Sequence, residues 1–454
     1  MMQRTSLSLA TLLFCGALAA PAHADDAALR AEVEALRAEV AALKAEVHGM
    51  HLQTASPATA ANATATTSAP VAATNSAAPT SGARDVAASS SSNNASGGAA
   101  GSTSFWGYGE LNYNHPTARA ADAQADLRRA VLGFNHVFDD ATRVYGELEW
   151  EHAIASADDK GESEIEQLYV EHALGANYGV RAGLMLVPLG LLNEHHEPVN
   201  YYGVERNYVE TAIIPSTWRE GGVALYGNTE SGLSWNLGIG TGPNLGKWDA
   251  TASEGRESPL GSIHQELQLA KARDPSIYAA ANWQGVPGLL LGGGVFTGKI
   301  GQGQTAPPVE KSRLTLGEVH ARWQPGPFDL SALYVRGEIS HTQDANLTFL
   351  GQPTPVPKEF WGGYVQGAWR AVQWGESTLA PFLRYEAFNT ASAYAAQPQG
   401  LGAMPLPTER VWTAGLNYFL NSNVVFKFDY QHFNNADEEL GYGKRFNLGV
   451  GYQF

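Results

Sequence analysis

The chain has 454 residues, of which 44% are hydrophobic, 16% are charged and 49 are glycine, and its formal net charge is −16. That acidic balance excludes a nucleic-acid binder held by phosphate contacts. The single cysteine, Cys15, lies in the N-terminal segment, so a chain processed beyond it has neither disulfides nor thiol catalysis.

Residues 1–24 read as a secretory leader. Arg4 lies near the start, Leu12 to Ala20 form an apolar core, and Ala22-His23-Ala24 is a small-x-small cleavage site. Phe14 is too bulky to precede a lipid-attachment cysteine. Loss of the segment removes Arg4 and takes the net charge from −16 to −17.

Residues 25–51 carry heptads. Leu29, Val33, Leu36, Val40, Leu43, Val47 and Met50 alternate spacings of four and three, which predicts a short α-helical coiled coil with valine at a and leucine at d. Glu32, Glu39 and Glu46 fall at g, and Arg30, Arg37 and Lys44 at e, a charge pattern that favours parallel pairing. Valine at a with leucine at d leans toward two strands. Residues 52–103 are Ala, Ser, Thr, Asn, Gly and Pro with almost no large apolar side chain, and predict a disordered linker. A flexible chain of about fifty residues spans roughly 40 Å.

No later stretch approaches the ~20 continuous apolar residues of a membrane helix. From residue 104 to 454 the sequence instead alternates in segments of about ten residues, as transmembrane strands do. In "WNLGIG", Trp235, Leu237 and Ile239 oppose Asn236, Gly238 and Gly240. In "NVVFKFDYQHF", Val424, Phe426, Phe428 and Tyr430 face outward, with Lys427, Asp429 and Gln431 inward. Alternation alone also fits a soluble sandwich. The connections decide between them, because they alternate in length. Short ones lie at 139–141, 175–177, 228–232, 285–287, 325–327, 371–375 and 420–423. Long ones lie near 115–126, 154–163, 189–217, 242–275, 301–311, 341–357, 391–406 and 435–443. Seven short and eight long links join sixteen strands, predicting an all-β, 16-stranded antiparallel transmembrane β-barrel with tight turns at one end. "IHQELQLAKARD", Ile263 to Asp274, would make the count odd as a strand and is read as a short helix in the fourth long loop.

Trp106, Trp150, Trp235, Trp283, Trp323, Trp361, Trp369 and Trp412 mostly fall near proposed strand ends, where interfacial girdles lie. The chain finishes on "NLGVGYQF". Asn447, Gly449, Tyr452 and Phe454 match the ending typical of substrates of the barrel-assembly machinery, so that machinery is an expected partner through Phe454.

A sixteen-stranded barrel is too wide for its side chains to fill and leaves an aqueous channel. Whatever narrows the lumen then sets selectivity. The third long connection, Leu189 to Trp218, contains Leu191, Leu192, Tyr201, Tyr202, Tyr208, Ile213 and Ile214, an apolar content that predicts packing on the inner wall. Its Glu194, His195, Glu197, Glu205, Arg206 and Glu210 are the expected pore constriction. Glu194, His195, His196 and Glu197 are metal-ligand types, but neighbouring histidines on extended chain point apart and no H-x-x-x-H or H-x-x-E-H spacing follows. No metal site, cofactor or compact serine–histidine pair is therefore expected, and the chain does not read as an enzyme.

The barrel resembles the phosphate-selective porin O and P family over most of residues 105–454. The residues that carry this are "DLRRAVLGFNHVF" (Asp126 to Phe138), "YGVRAGLMLVPLGL" running into "NEHHEP", and the terminal "GVGYQF". The resemblance implies a homotrimeric outer-membrane channel with an inward third loop and, in phosphate-selective members, a ladder of pore arginines and lysines. Here Glu194, Glu197, Glu205 and Glu210 face Arg206 alone in that loop. The expected pore wall mixes signs: Arg143 with Glu147 and Glu149, Arg384 with Glu386, Lys427 with Asp429, and Arg181 and Arg370 besides. Two readings of the residues stay open. One is an outer-membrane porin for passive diffusion of small hydrophilic solutes or ions, phosphate and other anions among them, with the coiled coil in the periplasm. The other is a structural protein tying outer-membrane lipid to the cell wall through that coiled coil.

Overall fold

The computed structural model describes residues 100–434 and 443–454. The leader, the heptads and nearly all of the linker lie outside the described residues. So does most of the last long connection.

Within the described residues, seventeen strand segments form one closed antiparallel sheet. They are β1 (Thr103–Pro116), β2 (Gln124–Val137), β3 (Thr142–Glu151), β4 (Ser163–Gly175), β5 (Tyr178–Leu186), β6 (Arg219–Asn228), β7 (Leu233–Gly240) and β8 (Ser276–Val286). There follow β9 (Leu289–Lys299), β10 (Arg313–Trp323), β11 (Phe328–Ser340), β12 (Glu359–Trp369), β13 (Val372–Trp374), β14 (Ser377–Ala393), β15 (Glu409–Phe419), β16 (Val424–Asn434) and β17 (Arg445–Gln453). Successive segments pair with one another, and β17 closes on β1. The three-residue β13 continues the line of β12 past Arg370 and Ala371, and both pair with β14. The barrel therefore has sixteen staves, the number that the parity of the connections predicts.

The pleat sorts side chains as the sequence alternation requires. Leu237, Ile239, Phe426 and Phe428 are exposed on the outside, while Lys427, Asp429, Gln431 and Asn447 are buried inside. A soluble sheet would bury the first set and solvate the second. Only a hydrocarbon surround makes this surface favourable, because exposed apolar area of this extent is unstable in water. Trp323, Trp369 and Trp374 lie exposed at the short-turn end, and Trp150 at the other. No described helix is long and apolar enough to cross a membrane.

One expectation fails. Ile263 to Asp274 is neither helix nor strand beyond Ile263, which ends a 3-10 turn, Gly261–Ile263. Glu266, Leu267 and Leu269 take positive φ, which no helix continues through. The Gln265 side chain replaces helical hydrogen bonds: its amide donates to the carbonyls of Gly242 (2.7 Å) and Lys271 (2.9 Å), and its oxygen accepts from Lys271 N (2.8 Å). The segment is a clasped loop.

Phe454 takes part in the closing seam. Phe454 N donates to the Gly107 carbonyl (2.9 Å), and Gly107 N donates back (3.2 Å). A Cβ on Gly107 would stand 2.6 Å from the Val131 carbonyl and 2.7 Å from the Phe454 ring. Gly107 is thus small because β1 must admit both. Gly107→Ala is expected to destabilise the closed barrel by about 1–3 kcal/mol through overpacking. Its folded gel mobility should then be lost at a lower temperature than that of the wild type; an unchanged transition would refute the account.

Inside the lumen, one side is filled. Val187, Leu189, Val209, Ile213, Ile214 and Trp218 of the third long connection meet Leu245, Trp248, Leu260 and Ile263 of the fourth. Together they pack on Phe296, Leu314, Leu316, Val335, Phe360 and Phe388 of the wall.

Candidate functional site

The third long connection leaves the wall after β5, at residue 187, and returns at β6. Between these points it crosses the lumen. Tyr201 Oη donates to Glu110 of β1 (2.6 Å), and Tyr202 Oη donates to Asp329 of β11 (3.3 Å). Gly203 N donates to Asn417 of β15 (3.3 Å), and Val204 N to Asp429 of β16 (2.6 Å). Tyr208 N donates to Glu386 of β14 (2.6 Å). The loop begins between β5 and β6 yet binds the far wall, so it spans the bore. Its aromatics reinforce this, since Tyr208 stacks on Phe388 at 5.6 Å and Lys427 Nζ lies 3.5 Å from the Tyr201 ring centre.

The predicted constriction residues divide into two sets. Glu194, His195, Glu197, Glu205 and Arg206 are half-buried. Glu194 and His195 line a cavity of about 370 Å³ together with Arg143, Glu171, Arg181 and His320. Ala176 and Asn228 also border it, so it opens at the short-turn end. Glu197 is held by Asn200 (2.6 Å), Glu205 accepts from Asn112 (3.1 Å) and Asn114 (2.9 Å), and Arg206 donates to Ser216 (2.9 Å). Burial pushes the His195 imidazole below its ordinary 6.5.

Glu210 departs from expectation. It is 3% exposed, and one of its oxygens accepts from Leu191 N (2.6 Å) and Leu192 N (2.7 Å). The other accepts from Asn207 (2.8 Å) and from Tyr364 Oη on β12 (2.9 Å). A carboxylate so enclosed holds the loop's own turns together and does not face a solute path.

Pore-wall cations divide in the same way. Arg143 and Arg181 border the cavity, and Glu171 lies 3.5 Å and 2.7 Å from them. Arg370 is half-buried between β12 and β13. Arg384 and Lys427 do point inward, but the loop roofs them to 2% and 4% exposure; Arg384 donates to Glu386 (2.7 Å) and to the Tyr202 carbonyl (3.0 Å). They anchor the loop. No ladder of unpaired cations runs along the described wall.

Residues that sequence reasoning passed over complete the picture. Arg129 of β2 donates to Glu110 (2.8 Å) and to the His196 carbonyl (2.6 Å), and Arg219 donates to Glu164 (2.5 Å). Arg129 shares inward parity with buried Val131, so the period-two signal marks it. Its partners come from other strands and leave no sequence signal.

No family model matches the chain. It is 26% identical over 345 residues to an uncharacterized protein of Aquifex aeolicus (strain VF5), covering 74% of this chain and 77% of that one. Among solved structures it is similar to OmpF of Salmonella typhi in complex with daunomycin, at a TM-score of 0.54 and 15% identity, covering 78% of this chain and 98% of that one. It is likewise similar to the outer membrane channel DcaP of Acinetobacter baumannii, at a TM-score of 0.51 and 15% identity over the same shares. At such identities the likeness is one of fold, the closed antiparallel β-barrel.

Proposed function

We propose that the protein is an outer-membrane porin through which small hydrophilic solutes or ions diffuse passively. The observation that carries this reading is the third long connection, hydrogen-bonded to β1, β11, β14, β15 and β16 across the bore. A tether has no use for a loop that partitions its interior. A channel needs one, because charges act strongly on ions only where the passage is narrow and partly desolvated.

Glu194, His195, Glu197, Glu205 and Arg206 are the proposed constriction, with Arg143 and Arg181 on its wall. Carboxylates accompany both of these wall arginines. That pairing favours a path of mixed polarity over a dedicated phosphate ladder. The subunits are proposed to form a homotrimer, with residues 25–51 as a parallel clamp in the periplasm and assembly directed through Phe454. Planar-bilayer recording of the purified protein tests the whole reading. Discrete conductance steps that close in threes are expected. Absence of steps would overturn the channel, and single closures would overturn the trimer.

A further inference from the structure

The loop carries a feature that diffusion does not explain. His196 is buried, and its Nδ1 lies 2.9 Å from the Asn193 carbonyl, an acceptor that fixes the proton on Nδ1. In the neutral ring Nε2 then presents a lone pair. Around it stand Tyr108 Oη at 2.7 Å, Glu166 Oε1 at 2.9 Å and Glu147 Oε1 at 3.9 Å. Tyr108 Oη is also 2.9 Å from Glu147 Oε1 and 3.5 Å from Glu166 Oε2. Glu166 is wholly buried, and its Oε1 makes no hydrogen bond beyond this contact with Nε2.

We propose that Glu147 of β3, Glu166 of β4 and His196 of the loop bind a first-row divalent cation, zinc fitting best, with the Tyr108 oxygen as neighbour or fourth donor. The ligand atoms of the three side chains lie within 4.8 Å of one another. Donors about 2.0–2.1 Å from a tetrahedral zinc stand about 3.3 Å apart, and the separations of 2.7–3.9 Å from His196 Nε2 to the three oxygens bracket that value. The second shell is in place. Asn193 orients the imidazole, and Gln167 donates to Glu147 Oε2 (2.6 Å).

Charge points the same way. Glu110, Glu147, Glu149 and Glu166 are all buried here. Arg129 pairs with Glu110 at 2.8 Å and reaches Glu149 at 3.9 Å. Among the described residues, the ion-pairing group within 4 Å of Glu147 and Glu166 is His196. Desolvated carboxylates need a cation, and a metal leaves the imidazole neutral while meeting both. The expectation of no metal rested on adjacent histidines pointing apart. They do point apart: His195 turns to the cavity and His196 to the wall, where β3 and β4 supply carboxylates that its own segment does not. The ion would staple the loop to the barrel.

The test uses the full-length protein in detergent, stripped with EDTA, given zinc chloride and desalted. About one zinc per chain is expected to remain. Glu166→Gln and His196→Gln should lower retention at least tenfold. His264→Gln, at another histidine–carboxylate contact (3.3 Å to Glu266), should leave it unchanged. Cobalt in place of zinc should give the intense visible bands of a four-coordinate site. Equal zinc in the wild type and both variants overturns the proposal. Should the variants fail to fold, the wild type decides: no retained zinc, or a cobalt complex without those bands, also overturns it.

Discussion

Glu210→Ala is expected to raise single-channel conductance several-fold while leaving the barrel closed. The substitution strips the acceptor from four donors: Leu191 N, Leu192 N, the Asn207 amide and Tyr364 Oη. Each buried donor left unmet costs about 1–3 kcal/mol, so the docked loop loses about 4 kcal/mol even at the low end. That is about a thousandfold in the ratio of docked to undocked states. The barrel wall keeps all its ladder hydrogen bonds, so folded gel mobility should persist. Trypsin supplies a second readout, because Arg206 lies between the turns that Glu210 joins. Cleavage at Arg206 should be fast in the variant and slow in the wild type. Unchanged conductance together with unchanged cleavage would show that Glu210 does not hold the loop.

Why Glu210 had to be seen in three dimensions, while the barrel did not, follows from the range of the interactions. Strand alternation and the parity of short and long links are local, and the stave count follows from them. The short turns are equally local: Asp139 accepts from Ala141 N (2.9 Å) and Thr142 N (2.8 Å) within its own turn. The inward course of the third connection was legible in composition, since Ile213, Ile214 and Trp218 have no place in a solvated loop. Which of its charges face water was not. Glu194 and Glu210 are alike in sequence, but one lines a cavity and the other is enclosed by Tyr364, 154 residues away. Arg384 and Lys427 obey inward parity, which is blind to a loop lying over them. The Ile263–Asp274 segment misled because its composition suits a helix, whereas the Gln265 clasp, a tertiary device, wins over weak propensity.

Charge reversal of preference at the constriction is the second large effect expected. Glu194→Gln with Glu197→Gln should move permeability toward anions, and Arg206→Gln should move it toward cations. A unit charge 4 Å from an ion is worth about 1 kcal/mol in bulk water and about 4 kcal/mol at an effective dielectric near 20. Even the lower figure changes a permeability ratio by about fivefold. Glu194 lines the cavity with Arg143, Arg181 and Glu171, so its loss removes a negative charge from beside those two guanidiniums. Screening sets the conditions for the measurement. The Debye length is about 30 Å at 0.01 M salt and about 3 Å at 1 M, so reversal potentials should separate the variants in dilute salt and converge in concentrated salt. His195 adds a pH term with a fixed sign. Burial holds its imidazole below the ordinary 6.5, so it is neutral at pH 7 and gains its proton only in more acidic solution. Falling pH then adds positive charge beside Glu194 and should shift the wild type toward anions, a shift that His195→Gln removes. If reversal potentials of all these variants coincide in dilute salt, the solute path avoids the face of the loop that carries Glu194 and Arg206.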